Sequence, residues 1–357
     1  MTGTSTRLTR TALTLTSLSL LASLVGCGQQ DDPSEVQGSE SPSAEAGQAA
    51  ASSAQPSASG NEPSMASSWQ CPSNPGEAPS GTLRAERIAG SASERPGLYE
   101  GPVWVDGSLY FSDFTFDEGF PSRVQRLTDE GTLETAIEDS GSNGLAVDTE
   151  GFLMAATHDA KAISRYELST GDREIVWDTY QDNRFNSPND LTLTGNGIIY
   201  FTDPDFQQSA APGRQPKTRV YRIGTDGISV VDDTIANPNG VSLSPDERTL
   251  YVAGGGEKGV LRAYDLDDQG QVTGHRDLAK VSVPDGMAID CLGNIYVTEH
   301  SLQRLRVLSP EGEQLAEIKV DANITNAAFG GEQRKTLYLT GAGTLWQIEL
   351  DVAGYPY

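Results

Sequence analysis

Six residues with oxygen-bearing side chains recur at nearly even spacing: Glu100, Asn143, Asn189, Asn239, Asp285 and Asn326, separated by 43, 46, 50, 46 and 41 positions. Each opens a related phrase, such as "EGPVWVDGSLYFSD" at Glu100, "NGVSLSPDERTLYVAG" at Asn239 and "DGMAIDCLGNIYVTEH" at Asp285. None of the six is basic or apolar, so brought together they offer only carboxylate and amide oxygen. Two carboxylates held close raise each other's pKa or require a cation. Oxygen-only donors with a charge of about −2 suit a single hard divalent metal ion, Ca2+ first and Mg2+ second, with Zn2+ less favoured where no His or Cys takes part. The plainer alternative is turn chemistry, because Asn or Asp before Gly often caps local backbone. That alternative suits Asn143 and Asn326 but not Glu100, since Glu has little turn preference.

The surrounding residues say what would bring the six together. Each phrase runs from a polar residue into an alternating apolar strand, through a turn rich in Asp, Gly or Pro, and into a second strand such as "LYFSD" or "IYVTE". That is a β-hairpin. The intervals supply further strands such as "RVYRI" and "LRVLS". A repeat of this length with four strands matches a propeller blade, so the expectation is an all-β, six-bladed β-propeller with four-stranded blades over residues 81–357. "LRAERIA" at 83–89 is placed to supply the outer strand of the last blade and close the ring. If each phrase opens the innermost strand of its blade, all six leading residues stand at one height on the central channel. His158 and His300 each follow their leading residue by 15 positions, at the end of the returning strand and on the same face. They are candidates for lining a substrate pocket. His275 reads as a loop residue and Asp203 as structural. No "GxSxG" or "HExxH" occurs, which leaves serine esterase and zinc protease chemistry without support.

"EGPVW", "NSPNDL", "IYFTDP", "NPNGVSLSPDERTLYVA" and "VPDGMAIDCLGNIYV" resemble, in order and spacing, the gluconolactonase family that includes senescence marker protein (regucalcin). The resemblance implies a propeller with a divalent metal in its channel and hydrolysis of a small-molecule sugar lactone. It implies Glu100, Asn189, Asn239 and Asp285 as metal ligands, with Asp285 also the catalytic general base or, less favoured, a nucleophile. "NRFNSPND" offers both Asn186 and Asn189 to the third-blade ligand position, and the register of the repeats favours Asn189. Arg184 then becomes a substrate-binding candidate beside Asn143, His158 and His300. Two other functions remain open: phosphotriester hydrolysis, as in the similar propeller of diisopropyl fluorophosphatase, and ligand binding without turnover.

The first 80 residues carry different information. Arg7 and Arg10 precede the apolar "LTLTSLSLLASLV", and "LVGC" ends at Cys27. This reads as a lipoprotein signal peptide over residues 1–26 with lipidation of Cys27, giving an exported chain held to a bacterial membrane by its lipid alone. Residues 27–80 are rich in Ser, Ala, Gln, Gly and Pro, and contain no Lys or Arg. They read as a disordered acidic tether. A net charge of −25 opposes binding to nucleic acid or anionic headgroups. Cys71 and Cys291 remain, either as a disulfide or as two free thiols. Nothing in the pattern calls for a second chain, so the expected state is a monomer.

Overall fold

The computed structural model describes residues 70–89, 97–128 and 130–356. The expected signal segment, Cys27 and most of the expected tether lie outside these residues.

Twenty-four strands form six antiparallel four-stranded blades in a ring, the six-bladed propeller the repeats predict. The innermost strands are Leu98–Val105, Ser142–Val147, Leu191–Leu193, Pro238–Leu243, Pro284–Ile289 and Ile324–Gly330, and each touches the innermost strand of the blades on either side. Those of blades 2, 4, 5 and 6 are buried along their whole length. A strand squeezed between two neighbours has no solvent face, which is why these segments carry Gly, Ala and Val where an outer strand carries charge.

The apolar core falls into six clusters, one at each blade interface. Val103, Val105 and Val124 of blade 1 pack on Leu145, Val147 and Leu153 of blade 2, and Tyr296, Leu305 and Val307 of blade 5 on Phe329, Leu337 and Trp346 of blade 6. Hydroxyls stitch the inner ends together. Thr202 Oγ1 donates to the carbonyl of Asn239 at 2.6 Å, and Thr298 Oγ1 to that of Thr325 at 2.7 Å.

Closure uses the segment just before the first blade twice. Glu86–Ala89 pairs with Thr344–Glu349 as the outer strand of blade 6, as the sequence predicts. Gly81–Arg84 adds a fifth strand to blade 5, parallel to Gln314–Lys319, which the sequence reading did not anticipate. Cys71 and Cys291 form a disulfide, resolving the open alternative and fastening this N-terminal strand to blade 5. His275 lies in the outer strand Val272–Lys280 rather than in a loop. That strand faces solvent, so its polar residues lack the alternation that marks a strand.

Candidate functional site

In five blades the hydrogen-bond ladder between the first two strands is broken at the leading residue. The register shifts between Glu100 and Val103, Ser142 and Leu145, Pro238 and Val241, Pro284 and Met287, and Ile324 and Ala327. In blades 2, 4 and 5 the shift takes in the leading residue and the one after it, whereas in blade 1 it follows Glu100, taking in Gly101 and Pro102, and in blade 6 it takes in Thr325 and Asn326. A bulge of this kind frees a side chain from the pleat and re-aims it, which is why bulges gather at sites. In blade 3 the strand begins only at Leu191, and Thr202 bridges the gap, accepting from Asn189 N at 2.9 Å and donating to Asp190 O at 3.0 Å.

The residue after each leading residue explains how tightly the ring closes. A Cβ on Gly144 would lie 2.6 Å from Asn189 O, one on Gly240 2.4 Å from Asp285 O, and one on Gly286 1.9 Å from Asn326 Cγ. Glycine here lets adjacent inner strands approach until the glycine of one blade meets the leading residue of the next. Gly101 additionally has φ of 52°, a left-handed conformation that glycine adopts without strain.

The structure brings Glu100, Asn189, Asn239 and Asp285 into this ring, with Asn143 and Asn326. All six are at most 8% exposed. Glu100 Oε2 accepts from Gly101 N at 3.0 Å and from Asn326 Nδ2 at 3.5 Å. Burial pushes the Glu100 carboxyl well above the usual carboxylate range, and the charges of Asp285 and Asp190 push it further. Asp190 was missed by the sequence reading. It occupies the second position, where four other blades have glycine and blade 6 has Ala327, and that substitution was the available signal. Its oxygens accept from Leu191 N at 3.0 Å and Val241 N at 3.3 Å, yet burial still lifts its pKa to about 7.

The other candidates fall in different places. Asn186 is fully committed elsewhere: Oδ1 accepts from Gln215 N at 3.0 Å and Gln208 Nε2 at 3.1 Å, and Nδ2 donates to Lys217 O at 2.9 Å. Asn189 is thus the third-blade residue in the ring. Arg184 is exposed on a two-residue strand and donates to the Ala160 carbonyl in blade 2, with no described contact to the ring. His158 is buried, with Nε2 2.7 Å from Phe120 O and its ring among Phe114 and Phe120; burial lowers its pKa and keeps it neutral. His300 joins the ring, with Nδ1 3.3 Å from Asp285 Oδ2, within ion-pair range, and Nε2 3.4 Å from Asn323 Nδ2. The Asn323 amide donates, so Nε2 accepts and the proton is left on Nδ1, beside Asp285 but not aligned for a hydrogen bond. The contact with Asp285 raises the His300 pKa, against the opposing effect of burial.

The donor set fits a hard cation. Three largely buried carboxyls, Glu100, Asp190 and Asp285, lie near enough for the charges of the two aspartates to act on Glu100, and the Oδ1 of Asn143 is buried without a partner. Among the described residues, no group of three or more His, Cys, Asp and Glu is arranged to hold a metal by itself. Amide oxygens of Asn189 and Asn239 would therefore complete the shell.

Comparison with known proteins places this ring in context. The profile of the SMP-30/Gluconolactonase/LRE-like region matches residues 98–343, from the first blade into the last. A gluconolactonase of Zymomonas mobilis is 29% identical over 284 residues, covering 71% of this chain and 79% of its own. Rabbit (Oryctolagus cuniculus) regucalcin is 28% identical over 259 residues, covering 68% and 82%. A solved gluconolactonase of Xanthomonas campestris superposes with a TM-score of 0.63 at 26% identity, covering 76% of this chain and 99% of that one. With a profile spanning well over half its length, the chain belongs to the SMP-30/gluconolactonase/LRE-like family.

Proposed function

We propose that this protein hydrolyses a sugar lactone, using a divalent cation, Ca2+ foremost, held by Glu100, Asn189, Asn239 and Asp285. The observation that carries the reading is the buried ring in which the charges of Asp285 and Asp190 act on Glu100. Such crowding is costly without a cation and useful with one. Kinship with gluconolactonases supports the reaction type.

A bound cation would polarise the lactone carbonyl and stabilise the charge developing on its oxygen. Asp285 accepts a proton from the attacking water as the new carbon–oxygen bond forms. His300, whose Nδ1 lies 3.3 Å from Asp285 Oδ2, stands beside that carboxylate as a neighbouring positive charge when protonated. The ring carbon–oxygen bond then breaks, and the proton held by Asp285 passes to the departing oxygen, leaving a hydroxy acid. The free Oδ1 of Asn143 is suited to accept a hydrogen bond from a substrate hydroxyl. In a pH-stat assay over a panel of sugar lactones, the full-length protein is expected to open at least one. Chelation should abolish that activity, and Asp285→Ala should reduce it by about 10³-fold or more. Equal rates for protein and variant on every lactone would remove the hydrolase reading.

Export and lipid anchoring at Cys27 are proposed from the sequence pattern alone. A disulfide between Cys71 and Cys291 supports an oxidising compartment. Metabolic labelling with a radioactive fatty acid should mark the wild type but not Cys27→Ala; unlabelled wild type would rule out the anchor.

A further inference from the structure

Lys161 has no exposed surface, although burying a lysine's charge strips it of favourable hydration. It stands in the turn between the second and third strands of blade 2, yet its side chain serves blade 3. Nζ donates to the carbonyl of Asn186 at 2.7 Å and to that of Gln208 at 2.8 Å. Asp203, equally buried at the end of a blade 3 strand, grips the same dipeptide through its amides. Asn186 N lies 2.9 Å from both carboxylate oxygens, and Ser187 N lies 2.8 Å from Oδ1. Ser187 Oγ donates to Pro204 O at 2.8 Å. A cation on the carbonyl and an anion on the amides thus fix one short segment from two blades.

That segment leads directly to the ring. Only Ser187 and Pro188 separate Asn186 from Asn189, and proline fixes its own φ and restricts the residue before it. Little slack remains between the buried charges and the two ring residues that blade 3 contributes. Blade 3 also needs such support more than the others, because its innermost strand starts only at Leu191, after Asn189 and Asp190.

We propose that Lys161 and Asp203 form a cross-blade clamp that positions Asn189 and Asp190 for cation binding, so that blade 2 sets the geometry of a site it supplies with no expected ligand. This rests on the reading of the ring as a divalent-cation site.

The test is calorimetric titration of full-length protein with Ca2+, alongside thermal unfolding. Lys161→Met and Asp203→Asn are compared with Arg222→Met. Arg222 is also buried in blade 3, but it lies on the third strand and bonds Asp226 and the Gln269 carbonyl, away from the segment that Lys161 and Asp203 hold. The clamp variants should bind Ca2+ about 10- to 100-fold more weakly, the range found when groups that orient metal ligands are removed. Arg222→Met should lower the melting temperature while leaving the Ca2+ affinity unchanged. Any lactone turnover lost in the clamp variants should return at saturating Ca2+ with KM unaltered. If Lys161→Met fails to fold, Lys161→Gln and Asp203→Asn carry the comparison. Unchanged affinity in the clamp variants, or an equal loss in Arg222→Met, overturns the clamp while leaving the cation site intact. A wild type that binds no divalent cation overturns both.

Discussion

Burial decides the charge of the ring before any ligand arrives. The Asp190 carboxyl titrates at about 7 in the folded chain, against an ordinary value of 3.8, and Glu100 is shifted in the same direction. Between those two values the folded metal-free protein holds a proton that the unfolded chain has released. Stability must therefore fall as pH rises through this interval and level off above it. Binding of the proposed cation would have the opposite dependence, because its ligands must be ionised to bind. In chelator, the melting temperature is expected to fall between about pH 5 and about pH 8, and saturating Ca2+ should raise it more at the higher pH. Equal increments at both would contradict the assignment. Asp190→Asn should raise the metal-free melting temperature near about pH 8 and weaken Ca2+ binding by about 10-fold, read by the same two measurements. The leading residues were legible because a repeat sends one position of each copy to one place. Asp190 was not, because an Asp directly after Asn189 reads as ordinary turn chemistry.

At the scale of strands, the site depends on how closely the inner strands approach. Gly286→Ala would place a methyl group 1.9 Å from Asn326 Cγ, at the join of blades 5 and 6. Overpacking of this kind costs about 1–3 kcal/mol, and the variant should melt several degrees lower. Unfolding at the wild-type temperature would show that the ring is looser than described. The Cys71–Cys291 disulfide closes a span of 220 residues, for which about 2–4 kcal/mol of stabilisation is typical. Cys71→Ser should lower the melting temperature, and reductant should lower the wild type to match it. Hairpins were legible from alternation and turn residues. The parallel strand Gly81–Arg84 was not, since four largely exposed residues carry no period and their partner lies 235 positions away. The bonding that commits Asn186 was equally hidden, because its partners Gln208, Gln215 and Lys217 follow in an irregular loop.

For the whole molecule, the ring order of the blades follows from the repeat, and the apolar interfaces follow from the ring. Specificity does not, because loops above the channel differ from blade to blade and the repeat says nothing about them. The negative surface is a property of the full chain, with 50 acidic residues against 25 basic. Self-repulsion on this scale weakens the compact state, so the melting temperature in chelator should rise with added NaCl. A flat response would mean that the charges are already neutralised locally, as in the pairs Arg262–Asp232 and Arg304–Glu299. One measurement bears most directly on the central claim, which is a single cation in the ring: the divalent metal content of full-length protein after Ca2+ loading and gel filtration. The expected result is about one equivalent in the wild type and less than about a tenth of one in Glu100→Gln and Asn239→Ala. No bound metal in the wild type, or undiminished metal in both variants, would contradict it.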